Sequence, residues 1–381
     1  MILGIDASNL RAGGGVTHLV EFLRAAEPHV HCFERVIVWG CTATLLKIEE
    51  QYWLCKVQDP LLDRGLLYRV FWQRFRLKKL AENAGCDVLF VPGGSDASGF
   101  KPMATMSRNL LPFELREMRR YGLSSLRLKL ALLRITQTMT FRKADAVIFL
   151  TQYARETVQR VTGPLPGKIA TIPHGIDPRF FCTTRPQRKR EEFNESNPCR
   201  VLYVSIVDAY KHQSHVAEAV AQLRKSGFSV TLDLVGPAYA PAMGRLNQTL
   251  RRVDPGAHFI HYRGAVLHEE LHGLYAAADI NVFASSCENM PNILLESMAC
   301  GLPIACSNRG PMPEVLREAG VYFDPEQPGE IADAIRSLIE SSELRLEKAQ
   351  AAYERAQQFS WARCADETLA FLATIDTAQK R

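Results

Sequence analysis

Residues 279–307, DINVFASSCENMPNILLESMACGLPIACS, constrain the fold more than any other stretch of the chain. Residues 279–284 are a short apolar run ending in small polar residues, the pattern of a parallel strand buried on both faces. Pro291 suits the first turn of a helix, where its fixed φ fits and its missing N–H is not needed. The helix is expected to run to about Cys300 and to stop at Gly301. Residues 303–307 then read as a second strand. Strand, helix and strand together commit the chain to an α/β architecture with a parallel sheet.

Two carboxylates stand in this unit. Glu288 falls in the strand-to-helix loop, and Glu296 about one and a half turns inside the helix. Both can face one crevice at the carboxyl edge of the sheet, where ligands of such sheets bind. The N–H groups near Asn289, Met290 and Asn292 are expected to point out of the helix N-terminus as an anion site. A carboxylate pair flanking an anion site suits a molecule with hydroxyls at both ends and phosphates in the middle, a nucleotide sugar. Spacing alone does not carry this. Glu318 and Glu326 share it in a turn-rich stretch, without the strand, loop and helix around them.

The form E-N-M-P-N-I-L-L-E-S-M-A-C-G resembles the donor-site motif of the retaining glycosyltransferase family 4, of GT-B fold, often written E-G-F-G-L-P-x-L-E-A-M-A-x-G. The resemblance implies two Rossmann-like, doubly wound domains with a cleft between them. It implies that Glu288 contacts the transferred sugar and Glu296 the ribose diol. Relatives carry G-R-L-x-x-x-K on the donor phosphates. Here Lys211 matches the Lys, Ile206 stands where the Arg would be, and Ser205 replaces the Gly. The resemblance puts the base against the backbone near Val266. It puts the Gly-rich loop, with Gly14 and Gly15, on the donor diphosphate or the acceptor. Many relatives have a His where Asn109 stands, and Asn cannot act as a base. Residues 173–177, with His174, resemble the N-G-V-D turn that ends the first domain. His174 either points into the cleft or stabilises the turn.

A chain of 381 residues is long enough for two such domains. The expected boundaries are 1–182 for the first domain, 183–198 for a charged, Pro-bearing linker and 199–359 for the donor domain. A C-terminal helix at 360–381 is expected to cross back onto the first domain, as the resemblance implies. No run of eighteen apolar residues exists, so no transmembrane helix is expected. The ten cysteines form no C-x-x-C pair, which suits reduced thiols in a cytoplasm rather than a zinc site or a disulfide framework. No Asp-x-Asp pair stands in a metal-binding setting, so no metal and no cofactor beyond the donor substrate is expected.

Charge is uneven. Residues 1–172 hold 24 Lys/Arg against 15 Asp/Glu, and the remainder is acidic. Two stretches, 61–80 and 115–143, mix large apolar residues with Arg and Lys and read as basic, amphipathic helices. Such helices suit an anionic membrane surface. Plain solvated faces on core helices, or nucleic acid without a recognised module, are the other readings. Together these features point to a metal-independent hexosyltransferase in which Glu288 and Lys211 are catalytic. The donor would be a nucleotide diphosphate sugar, with GDP-mannose favoured by the resemblance to bacterial surface-polysaccharide enzymes. The acceptor would be lipid-linked or a glycan, at the cytoplasmic face of a membrane. A nucleotide-sugar epimerase of the same fold, or an inactive GT-B scaffold, are the alternatives.

Overall fold

The computed structural model describes residues 1–375. The last part of the expected 360–381 helix, residues 376–381, lies outside the described residues. The chain divides into two compact units: 1–118 with 123–175 and 360–381, and 119–122 with 176–359.

Unit 1 holds a seven-stranded, wholly parallel sheet of order β3-β2-β1-β4-β5-β6-β7. The strands are β1 Ile2–Asp6, β2 Arg35–Gly40, β3 Leu54–Gln58, β4 Val88–Val91, β5 Met103–Met106, β6 Ala146–Phe149 and β7 Lys168–Thr171. β4, β5 and β6 are buried throughout, as strands covered on both faces must be. The sequence did not announce β3. It is an edge strand paired only to β2, with an exposed Cys55 and Gln58, so it lacks the continuous apolar run. The order turns at β1, which sits between β2 and β4.

Unit 2 holds six parallel strands of order β10-β9-β8-β11-β12-β13. They are β8 Cys199–Val204, β9 Val230–Val235, β10 Ile260–Gly264, β11 Ile280–Phe283, β12 Ile304–Ser307 and β13 Gly320–Phe323. The turning point lies between β8 and β11. At the carboxyl edge the loops crowd together. At Gly236 (φ 141°) a Cβ would sit 2.2 Å from the Ser205 carbonyl oxygen, so only glycine fits.

Residues 183–198, expected as a linker, are fastened to unit 2. Arg185 donates to the carbonyls of Ala276 and Ala278, and Arg188 pairs with Asp279 at 2.5 Å. The helix Trp361–Ala373 packs in unit 1 on the helix Gly14–Ala25, with Trp361 against His18.

The two basic stretches are helical with breaks. The first is Leu66–Trp72, then a wider π turn over Gln73–Leu77, then Lys78–Asn83. The second is Leu115–Arg119 and, after a turn, Ser125–Lys143, started by the Ser124 hydroxyl accepting from the Arg127 N–H. Their faces are partly inverted. Ser125–Lys143 buries Gln137 and Thr140 and exposes Leu128, Leu132, Ile135 and Met139, one helical stripe. Thr140 Oγ1 accepts from the Asp96 N–H at 3.0 Å. Gln73, on the other helix, accepts from the Ala97 N–H at 3.1 Å and donates to buried Asp6 at 2.5 Å. Both helices therefore use polar side chains to grip the loop after β4. Several of their apolar residues, among them Leu67, Phe71 and Phe75, are left outside, while Trp72, Leu77, Leu130 and Phe141 are buried beside the polar anchors.

Candidate active site

The expected residues of the donor motif come together in unit 2, at the point where the strand order turns. Lys211 ends the loop after β8, and Glu288 lies in the loop after β11. Their side chains form an ion pair, Lys211 Nζ on Glu288 Oε1. The pair is withdrawn from water, the side chains being 8% and 15% exposed. Tyr203 fixes the loop by donating to the Lys211 carbonyl at 2.7 Å. The ammonium also lies over the rings of Tyr210 and Phe283, at 5.1 and 5.4 Å. Such faces favour a cation without neutralising it.

The helix after β11 begins at Asn292, one residue later than expected. Pro291 is its N-cap, with an extended ψ of 95°. Asn289 and Met290 are therefore buried loop residues. The N–H groups left open by helix geometry are those of the first turn, from Asn292 onward. The side-chain carbonyl of Asn292 is buried and finds no hydrogen-bond partner among the described residues. The helix ends at Ala299, with Gly301 at φ 61°.

Glu296 is 9% exposed and held by groups that sequence reasoning missed. Tyr275 O–H donates to its Oε2 at 3.3 Å, and His268 Nε2 lies 3.3 Å from Oε1. His268 Nδ1 faces the guanidinium of Arg179, which only donates, so Nδ1 accepts and Nε2 carries the proton to Glu296. Phe180 stacks edgewise on both His268 and Tyr275, with ring centroids 5.4 and 6.0 Å away. Burial, then the Glu296 carboxylate, push the Tyr275 phenol well up, so it remains a donor. The signal for His268 was its place two residues past Val266, just after β10. Val266 itself is half-buried in that loop.

Asp208, also in the loop after β8, accepts from Tyr121 O–H at 2.8 Å and from the Ala209 N–H at 2.6 Å. Ile206, at the position of the family's Arg, is 38% exposed and brings no charge.

In unit 1 the Gly-rich loop leads into the helix Gly14–Ala25, with Gly13 as its N-cap at φ 67°. Gly13 and Gly14 are exposed, and Gly15 is half-buried. Arg108 donates to the carbonyls of Gly14 and Gly15 and so fixes the loop. Asn109 is exposed, and its side-chain oxygen accepts from the Leu111 N–H at 3.1 Å, a local turn. His174 is packed inside unit 1 at 4% exposure, against His18 and Trp361. That burial favours the turn-stabilising reading.

Burial, with the Arg108 cation, holds the His174 imidazole down at about 3. His18 is lowered well below its usual value by burial, then by Arg108 and His174. In the unfolded chain each takes a proton near pH 6.5. Between pH 6.5 and about 3 the unfolded chain therefore binds more protons. Stability is full above that window and falls as pH drops through it, by up to about 1.4 kcal/mol per pH unit for each imidazole. His174→Gln is expected to flatten the acid limb of the thermal midpoint between pH 7 and 4. A limb parallel to wild type would remove His174 as a buried neutral group.

Comparison with known proteins identifies the family. A Glycosyltransferase Family 4 model matches residues 12–180, and a Glycosyl transferases group 1 model matches residues 198–341. The chain belongs to the glycosyltransferases of GT-B fold. The O-antigen chain mannosyltransferase B of Escherichia coli is 36% identical over 111 residues, 29% of each chain. The GDP-mannose-dependent alpha-(1-6)-phosphatidylinositol dimannoside mannosyltransferase of Mycobacterium tuberculosis is 29% identical over 241 residues, 61% of this chain and 58% of its own length. The match thus spans well under two thirds of either relative. A sucrose-phosphate synthase of Thermosynechococcus elongatus has the same fold, with a TM-score of 0.76 over 97% of each chain at 18% identity.

Proposed function

We propose that this protein is a retaining, metal-independent hexosyltransferase that takes a nucleotide diphosphate hexose, GDP-mannose favoured, and passes the sugar to a hydroxyl of a lipid-linked or polysaccharide acceptor. The observation that carries this reading is the Lys211–Glu288 pair at the turning point of the unit 2 sheet, with Glu296 held in its own niche one helix turn beyond. Loss of a nucleoside diphosphate puts negative charge on the leaving oxygens and positive charge on the sugar. Lys211 and the open N–H groups at Asn292 meet the first by preorganised electrostatics, and Glu288 meets the second. The diphosphate competes with Glu288 for the ammonium, and so hands the carboxylate to the sugar. Among the described residues no group of three or more His, Cys, Asp or Glu side chains is placed to hold a metal ion.

GDP-mannose is favoured because two relatives are named as mannosyltransferases, one of them GDP-mannose-dependent. Glu296 would accept from the ribose diol. Glu296→Ala is then expected to weaken binding of GDP or UDP by roughly 1.5–3 kcal/mol, the worth of a hydrogen bond to a charged group. Calorimetric titration that matches wild type would take Glu296 out of the ribose site. Turnover with a panel of GDP- and UDP-hexoses tests the whole reading. Epimerised donor without transfer would make the chain an epimerase, and no turnover of any donor would make it a scaffold.

We infer that the acceptor is presented at an anionic membrane. Among the described residues no helix is long and apolar enough to cross a bilayer. The inverted helices of unit 1 instead offer exposed apolar stripes set among Arg and Lys, which suits attachment to the surface.

A further inference from the structure

A chain of hydrogen bonds joins the loop that carries Lys211 to the loop that carries Glu288. His215 Nδ1 lies 2.9 Å from the Pro325 carbonyl oxygen. A carbonyl only accepts, so this nitrogen carries a proton. His212 Nδ1 lies 3.2 Å from the same atom and is therefore the acceptor. The proton of neutral His212 sits on Nε2, 2.9 Å from Ser286 Oγ. Ser286 in turn donates to the Tyr210 carbonyl twice, from its hydroxyl at 3.2 Å and from its backbone N–H at 2.8 Å. The ends of this chain are the immediate neighbours of the site. Tyr210 and His212 flank Lys211, and Ser286 stands two residues before Glu288.

The backbone adds a second, independent observation. His212 has φ 54° and ψ 29°, the left-handed region, at the N-cap of the helix Gln213–Lys225. A residue with a Cβ is strained there, and it stays only where its surroundings over-determine it. His212 is 5% exposed, and its ring stacks on that of His215 with centroids 5.2 Å apart. Glycine would suit the backbone better. The imidazole must therefore supply something that glycine cannot.

We propose that His212 is a positioning residue that clamps the Lys211 loop to the Glu288 loop through Ser286, so that ammonium and carboxylate are presented to the donor in one register. The proposal rests on the reading that Lys211 and Glu288 act on the donor. It assigns His212 no contact with substrate. Without the clamp the loops keep the Ser286 N–H bond to the Tyr210 carbonyl and the Lys211–Glu288 pair, but their register loosens. Misplacement of this kind slows chemistry more than it weakens nucleotide binding.

The test compares His212→Gly, His212→Asn, Ser286→Ala and the double variant His212→Gly/Ser286→Ala. Glycine keeps the left-handed backbone and removes the imidazole. Asparagine tolerates that backbone and restores a side-chain N–H donor. Amide hydrogen exchange, which needs no donor sugar, is followed in residues 206–212 and 284–291. Exchange in both segments is expected to rise about tenfold in His212→Gly and in Ser286→Ala. The double variant should go no further than Ser286→Ala, which already removes the His212 contact together with its own hydroxyl bond to Tyr210. His212→Asn should return to within about threefold of wild type. With whichever GDP- or UDP-hexose the wild type turns over, kcat should fall about tenfold in His212→Gly while the donor KM holds. Unchanged exchange in His212→Gly, additive effects in the double variant, or a fall in thermal midpoint with kcat intact would each overturn the clamp. Full turnover in Glu288→Gln would instead overturn the site reading, and the exchange measurement would still judge His212.

Discussion

Replacing Glu288 by glutamine is expected to lower kcat by about a hundredfold to a thousandfold, the usual loss on removing one preorganised charge from a transition state. GDP or UDP should bind at least as tightly as to wild type. Glutamine keeps the shape of the side chain and removes its charge. The sugar is cationic in the transition state and neutral in the ground state, so the loss falls on turnover. The rise in nucleotide affinity has a separate cause. The Lys211 ammonium is paired with Glu288, and both are largely withdrawn from water. Freed from the carboxylate, the ammonium has only the diphosphate to face. The cost is stability, because breaking a buried pair leaves a charge uncompensated, about 3–5 kcal/mol in typical cases. The thermal midpoint should therefore drop in the free protein and recover with GDP or UDP. Steady-state kinetics beside calorimetry decides the matter. Turnover that survives while nucleotide affinity collapses would make Glu288 a binding residue and remove its role in the chemistry.

The strands of both sheets were legible where a buried run stood between turn residues. Residues 279–284 gave β11, and Gly301 marked the end of its helix. β3 was not legible, because an edge strand with Cys55 and Gln58 in water needs no apolar run. The carboxylates of the donor motif were legible from their setting of loop, helix and flanking strands. What held them was not. The Lys211–Glu288 pair joins residues 77 apart in sequence, and no local pattern marks such a contact. His268 and Tyr275 reach Glu296 from across the sheet edge for the same reason. His212 was hidden differently. Its role depends on a positive φ, which sequence leads one to expect of glycine rather than histidine.

The basic helices show the opposite failure, where the pattern was visible and its orientation was not. Amphipathic sequence says that a helix has two faces, and custom puts the apolar one inside. In Ser125–Lys143 the polar Gln137 and Thr140 face inward, where Thr140 anchors the backbone of the loop after β4. A buried loop carries backbone groups that need polar partners, so here the inward face mixes Gln137 and Thr140 with Leu130 and Phe141 and leaves an apolar stripe outside.

Vesicle binding is the result that this inversion leads us to expect, and it should be lost on removing a few aromatic and aliphatic side chains. The rings of Phe71 and Phe75 lie tilted to each other with centroids 4.9 Å apart, and the residues are 50% and 68% exposed. Leu128 and Leu132 are 74% and 61% exposed. Each such side chain moved fully from water into a bilayer contributes about 1.5–3 kcal/mol. Phe71→Ser with Phe75→Ser should therefore weaken binding to vesicles by about twentyfold to several hundredfold, since each ring is already partly buried. Charge provides the second contribution, about 1 kcal/mol for each Lys or Arg near an anionic surface. Arg69 and Arg76 are the wrong residues to test it. Arg69 is tied inward to the Ser8 carbonyl and Asn9, and Arg76 to Asp59. Arg74, Lys78 and Lys79 are exposed, and their replacement by Ser should reduce binding at low salt. High salt should mimic that triple variant, since exposed charges are screened over about 8 Å at physiological ionic strength. It should leave the apolar contribution in place. Nucleotide binding, which we propose for unit 2, should be unchanged in every one of these variants. Flotation with phosphatidylglycerol-containing and neutral vesicles measures all of this. Wild-type protein absent from the anionic fraction at low salt would sink the membrane reading. A concentration-dependent mass in solution, lost in the Phe71→Ser and Phe75→Ser variant, would give the same stripes to a second copy of the chain instead.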